Sequence, residues 1–170
     1  MGQYFRLVNV AKRQYLRPHA AGDGAKLLEF GASGSGVMMC LAVLLADGNG
    51  RGGGDLRSDS PLIGSWAGDP IVIAGDYADV GKFVPAEDVA AWQRLVAASP
   101  EHMSYLRGRG LRIEDWQPNL YTVAGDLYED ITDKVILALC DDPYERQALI
   151  ERGAEAAKTW KPPVDPFKID

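Results

Sequence analysis

KLLEFGASGSGVMMCLAVLLADGNGRGGGDLRSDSPLIGSWAGDPIVIAGDYAD, residues 26–79, holds the reading on which the fold turns. Its middle, Val37 to Ala46, carries no polar side chain. A segment apolar on every face belongs in the interior, so this spacing predicts a central buried helix. Ser33 or Ser35 stands where an N-cap is wanted, and Asp47–Gly48 closes the run. Before it, Lys26–Phe30 fits either a short buried strand or a helical turn, since five residues satisfy both periods. After it, residues 47–61 are too rich in glycine for any regular element. Ile71–Ala74 follows Pro70 and reads as a strand ended by Gly75–Asp76.

Outward from that stretch, QYFRLVNV at residues 3–10 is a strand, with Gln14–Arg17 as the return arm of a hairpin and Pro18 as its end. Gly22–Asp23–Gly24 is a loop. Val89, Trp92 and Val96 recur at helical spacing over residues 86–98, with Glu87 and Asp88 in the first turn and Ser99–Pro100 as the stop. Trp92 and Trp160 are expected in the core. Ile131, Val135 and Leu139 mark another helix. Asp142–Pro143–Tyr144–Glu145 is a capping box with proline at the first helical position, opening a helix toward Trp160. The class is α+β: N-terminal strands, a buried central helix and a helical C-terminal half. Residues 1–160 are read as one globular domain and 161–170 as an extended tail.

A net charge of −6 and a pI near 4.9 argue against phosphate backbones as partners. RGRGLR at residues 107–112 is the densest basic run and reads as a solvated turn. The longest apolar run is half of what a membrane span needs, and the N-terminus lacks a leader pattern, so the expectation is a cytoplasmic chain. Cys40 and Cys140 sit among apolar neighbours and read as buried free thiols. With His19 and His102 they form no zinc spacing.

Three local patterns bear on chemistry. Glu29, Gly31, Gly34 and Gly36 precede the apolar helix, where free N–H groups and the positive helix end would meet an anion. This unit loosely resembles the first motif of methyltransferases that use S-adenosylmethionine, although its GxxGxG spacing is one residue out. The competing reading is that the glycines serve tight helix packing. Asp47, Asn49 and Asp55 match part of a calcium loop, with Asp59, Asp69, Asp76 and Asp79 as further carboxylates; of these Asp76 is the chosen fourth ligand for calcium or magnesium. Arg51 stands where an oxygen ligand is wanted and Ser58 where a bidentate Glu is wanted, and a solvated loop is the alternative. Trp66, in GSWAGD, either anchors a partner or covers the core from a loop. No nucleophile elbow or other assembled catalytic set is present.

The opening MGQYFRLVNVAKRQYL, with GDGAKLLEFGASGSG, LAVLLADGNGRGGGD and GSWAGDPIVIAGDYAD, resembles a group of small bacterial proteins to which no activity is attached. The likeness spans residues 1–83 and implies a bacterial, intracellular protein. Acidic charge, small size and the lack of a catalytic set point to a non-catalytic interaction protein, such as an inhibitor or immunity-type factor for a basic protein partner. The rival is a small enzyme or ligand binder that takes a nucleotide, S-adenosylmethionine or a metal on the Gly31–Gly36 loop and the aspartate-rich loops.

Overall fold

The computed structural model describes residues 2–48, 56 and 58–162. Among them are four strands and eight α-helices, an α+β arrangement with the sheet drawn mostly from the N-terminal half. Strands β1 (Phe5–Asn9) and β2 (Gln14–Leu16) form the expected hairpin. Its four-residue turn places Arg13 at φ 51° and is closed by Asn9, whose Oδ1 accepts from Lys12 N–H (2.9 Å). Strand β3 (Ile71–Gly75) lies antiparallel along the other side of β1. A two-residue β4 (Glu129–Asp130) pairs in parallel with β2, giving the order β3-β1-β2-β4.

The sheet is covered on both faces, which explains why FRLVN does not alternate cleanly between apolar and polar. Leu7 and Leu16 face one core with Trp66 and the helices α2 (Val37–Leu45), α6 (Thr132–Leu139), α7 (Pro143–Glu151) and α8 (Glu155–Thr159). Val8, Tyr15 and Ala74 face a second core with α3 (Ala86–Ala97) and α5 (Leu120–Leu127). Neighbouring Leu7 and Val8 are both fully buried, as strands sandwiched between helical layers must be.

Several sequence expectations need correction. Of the two readings of Lys26–Phe30, the helical turn holds: Leu27–Gly31 is a short helix, α1. The apolar helix forms, but it is not buried all round. Val37, Cys40, Val43 and Leu44 are buried, whereas Ala42 and Leu45 reach the surface, because α2 is the outer wall of its core and not its axis. Neither Ser33 nor Ser35 caps it. The cap comes from Asp23, whose Oδ2 accepts from Val37 N–H (2.7 Å). Asp142 does cap α7, accepting from Tyr144 N–H (2.8 Å) and Glu145 N–H (3.2 Å). That helix does not run on to Trp160: Gly153, at φ 90°, breaks it before α8. Trp160 is only partly buried at the core's edge, while Trp92 is buried as expected. Ser99–Pro100 ends α3 and at once starts α4 (Pro100–Gly108), with Pro100 in the first turn and Ser99 as its cap. No helix among the described residues is long and apolar enough to cross a membrane. Of the tail, residues 163–170 lie outside the described residues.

Candidate functional site

The four residues proposed as an anion cradle have separate local surroundings. Glu29 Oε2 accepts from Lys26 N–H (3.2 Å) and closes the first turn of α1. Gly31 and Gly34 are exposed, with nothing within 4 Å of where a Cβ would stand. Gly36 is buried at φ 106°, and a Cβ there would meet Asp23 Oδ2 at 2.3 Å. The packing reading thus holds for Gly36 and fails for Gly34. The backbone N–H that a ligand anion would take at the start of α2 is already held by the Asp23 carboxylate. Arg152 Nη2 pairs with the other oxygen of Asp23 and donates to Ser33 Oγ (2.8 Å).

The aspartates also have local work. Asp47 is exposed beyond the end of α2, and Asn49 and Asp55 lie outside the described residues. Asp76 Oδ1 accepts from Tyr4 N–H (3.0 Å) at the end of the β1–β3 ladder. Asp69 accepts from Asn9 Nδ2 (2.8 Å) and pairs with Lys12 (3.6 Å). Among the described residues, no group of three or more His, Cys, Asp or Glu is placed to hold a metal ion. In the basic run, Arg112 pairs with Asp115 (3.1 Å) and Arg109 stacks on Tyr105.

Trp66 is a core residue, not a surface anchor. It is fully buried, its Nε1–H donates to Gln14 Oε1 (2.9 Å), and its backbone N–H donates to Leu44 O (2.8 Å). An indole between glycine and small residues looks available in sequence, but those neighbours are small because the segment folds flat onto α2 and β2.

The exposed apolar surface lies instead along β3. Val10 N–H donates to Pro70 O (3.4 Å) and Asp76 N–H to Tyr4 O (3.0 Å), which assigns the Ala74 and Val72 backbone groups to β1. Antiparallel alternation then turns the N–H and C=O of Ile71 and Ile73 outward. No strand among the described residues pairs with them. Beside this edge the chain turns through residues 76–84 and exposes Tyr77 (68%), Val80 (63%) and Phe83 (59%), with Ile73 itself 42% exposed. Of these, Ile73, Tyr77 and Phe83 line a groove of about 280 Å³ together with Val72, Ala78, Asp79, Lys82 and Leu120.

The turn is held rigidly. Buried Asn119 donates from Nδ2 to Asp76 O (2.9 Å) while its Oδ1 caps α5 at Thr122 N–H (2.9 Å). Gly81 N–H donates to Pro118 O (2.9 Å). Phe83 sits at φ 60°, in the left-handed region. For a bulky side chain this conformation costs about 1–3 kcal/mol and persists only where its surroundings impose it. The sequence hint was present: Ile71–Ala74 reads as a strand and Asp76 as its end. What the sequence does not show is that β3 is an outer strand.

No protein-family model, curated protein or solved structure matches this chain.

Proposed function

We propose that this chain is a non-catalytic interaction protein that captures an extended segment of a basic protein partner as an added strand along β3. The observation that supports this most directly is the pair of outward-facing backbone groups at Ile71 and Ile73 beside the exposed Ile73, Tyr77, Val80 and Phe83. An edge of this kind offers main-chain hydrogen bonds for affinity and side-chain pockets for specificity. Natural proteins usually blunt such edges with charge, proline or a bulge. Among the described residues, Ile71–Gly75 itself carries no charge or proline, and Pro70 stands just before the strand. The groove's aromatic side chains are of the type that dominates binding energy in interfaces. Asp76 and Asp79 lie in the turn, Asp79 4.0 Å from Lys82, and the net charge of −6 steers a cationic partner toward the molecule and nucleic acid away from it. An inhibitor or immunity-type factor in a bacterial cytoplasm would work in this manner, and two buried unpaired thiols suit a reducing compartment.

The test starts from a random peptide display library panned on the immobilised protein. Selected peptides should alternate apolar and basic residues and should shift the backbone amide resonances of Ile71, Ile73, Tyr77 and Phe83. Ile73→Pro removes one outward N–H without breaking the ladder to β1, a position where an edge strand tolerates proline. It should weaken binding at least tenfold, and Ile73→Lys should do the same by repelling a basic strand. Peptides that bind with neither variant affected, or that shift only residues elsewhere, would refute the reading.

A further inference from the structure

A second concave site lies away from the β3 edge, between α3, α4 and α5, and encloses about 400 Å³. That volume is within the range of small-molecule pockets. Trp92 from α3 and Trp116, which follows a single 3-10 turn at Ile113–Asp115, form a corner: their rings are 5.1 Å apart and nearly perpendicular, at 83°. His102 from α4 lines the site 6.4 Å from Trp116, and Tyr105 packs on Trp116 at 6.2 Å from outside the lining. Val96 adds an aliphatic surface. From α5, Thr122 and Asp126 line the opposite side, one helical turn apart and so on one face.

Asp126 gives the cavity its chemical character. The buried Trp92 donates from Nε1 to Asp126 Oδ2 (2.8 Å), which fixes the carboxylate against the aromatic corner. Among the described residues no cation pairs with Asp126. Arg109 stacks on Tyr105 at 4.8 Å. Indole and phenol faces attract cations through their quadrupoles, and the attraction is strongest where water is displaced. Asp126 is an exposed residue at the rim of the site, and a neutral apolar guest laid against it would displace part of its water and give nothing back. A guest carrying positive charge on carbon-rich groups would satisfy both the rings and the carboxylate.

We propose that this cavity binds an alkylammonium group, held between the Trp92–Trp116 corner and the Asp126 carboxylate. The site is independent of strand capture at β3, and neither depends on the other being correct.

The four tryptophan indole N–H resonances, at Trp66, Trp92, Trp116 and Trp160, allow a direct test. Titration with choline should move the Trp92 and Trp116 signals and leave Trp66 in place. The uncharged isostere 3,3-dimethyl-1-butanol should bind about tenfold more weakly or worse. Asp126→Asn keeps an oxygen for Trp92 but removes the charge, so it should cost choline about tenfold in affinity and leave the isostere unchanged. Trp116→Ala, checked for an unchanged melting temperature, should weaken choline further. A trimethyllysine peptide that outcompetes choline would identify the head group as a protein side chain; the reverse order would identify a free amine, and both support the site. Equal binding of choline and its isostere, an Asp126→Asn variant that binds choline as well as the parent, or no Trp92 and Trp116 shift at tens of millimolar choline would each overturn it.

Discussion

Removing the Asp23 carboxylate should cost more than any other single polar change in this fold, because one side chain closes three segments at once. Asp23 is almost fully buried; one oxygen accepts from Val37 N–H at the start of α2, and the other pairs with Arg152 at the end of α7. In Asp23→Ala the α2 terminus loses its cap, a loss of about 0.5–2 kcal/mol. Arg152 also loses its partner. Breaking a buried pair from one side costs about 3–5 kcal/mol, but the Arg152 side chain is 30% exposed, so water recovers part of that. The two losses share one residue and do not simply add; about 3–4 kcal/mol is expected. At roughly 2–4 °C per kcal/mol for a chain of this size, the melting temperature should fall by about 6–16 °C. Asp23→Asn keeps an acceptor for Val37 and should lose about half as much. The measurement is urea unfolding followed by circular dichroism for the parent, Asp23→Ala, Arg152→Met and the double variant. The double variant should be more stable than the sum of the single losses predicts, because neither charge is left buried alone. A loss below about 1 kcal/mol in Asp23→Ala, or strict additivity in the cycle, would refute the argument.

Two further outcomes follow from buried groups. Burial pushes the Cys40 thiol up to about 12 and the Cys140 thiol up to about 11, with the Asp23 charge adding to the effect at Cys40. The native state therefore holds these protons more tightly than the unfolded chain, so their contribution to stability is intact below the ordinary thiol value of 9.0 and declines as pH rises from there toward 11 and 12. Alkaline unfolding should show that decline, Cys40→Ala should flatten it, and a thiol reagent at pH near 8 should label the native protein far more slowly than the urea-unfolded one. The glycines of the 31–36 loop should separate. Gly36→Val forces a β-branched residue into φ 106° and against Asp23 and should cost several kcal/mol, whereas Gly34→Val meets open space and should stay within about 0.5 kcal/mol. Melting curves of the two variants decide it.

Where a local rule had a single physical solution, the sequence was readable. Asp142–Pro143 offers a capping oxygen, a fixed φ and no N–H to satisfy, and a helix starts there. Trp92 with Val89 and Val96 was read as one face of α3; Trp92 and Val96 are buried, and the third buried position is Asp88, with Val89 only partly covered. The hairpin arms of β1 and β2 are likewise set by side-chain type and a four-residue gap. Reading failed where two solutions were close in energy. LLEF suits a strand or a helical turn, and the helix wins because Glu29 and Lys26 close its first turn through both backbone and side chain. The α2 cap was misassigned to the adjacent serines because a capping oxygen need not come from the neighbouring chain. Asp23, fourteen residues upstream, holds that N–H from a segment that is also tied to Arg152. The two-residue β4 has no sequence signal of its own and exists because Tyr15 O accepts from Ile131 N–H (3.1 Å).

The candidate sites were hidden for a different reason. Periodicity identifies residues that share a face, but says nothing about whether another element covers that face. Ile71–Ala74 has the composition of a central strand, and only the order β3-β1-β2-β4 leaves it at the edge. Tyr77, Val80 and Phe83 are spaced three apart, as a core-facing helical stripe would be, yet Gly81 and the left-handed Phe83 prevent a helix and leave all three exposed. Conversely, Trp66 has the surroundings of a surface anchor and is the largest fully buried side chain. The same asymmetry applies to the aromatic cavity. Burial of Trp92 follows from its helix, but its indole N–H must then find an acceptor, and that requirement draws Asp126 from thirty-four positions away into an aromatic setting. A carboxylate brought there to satisfy one buried donor retains a second oxygen and a full charge. The alkylammonium site proposed above would then be a by-product of hydrogen-bond satisfaction between α3 and α5.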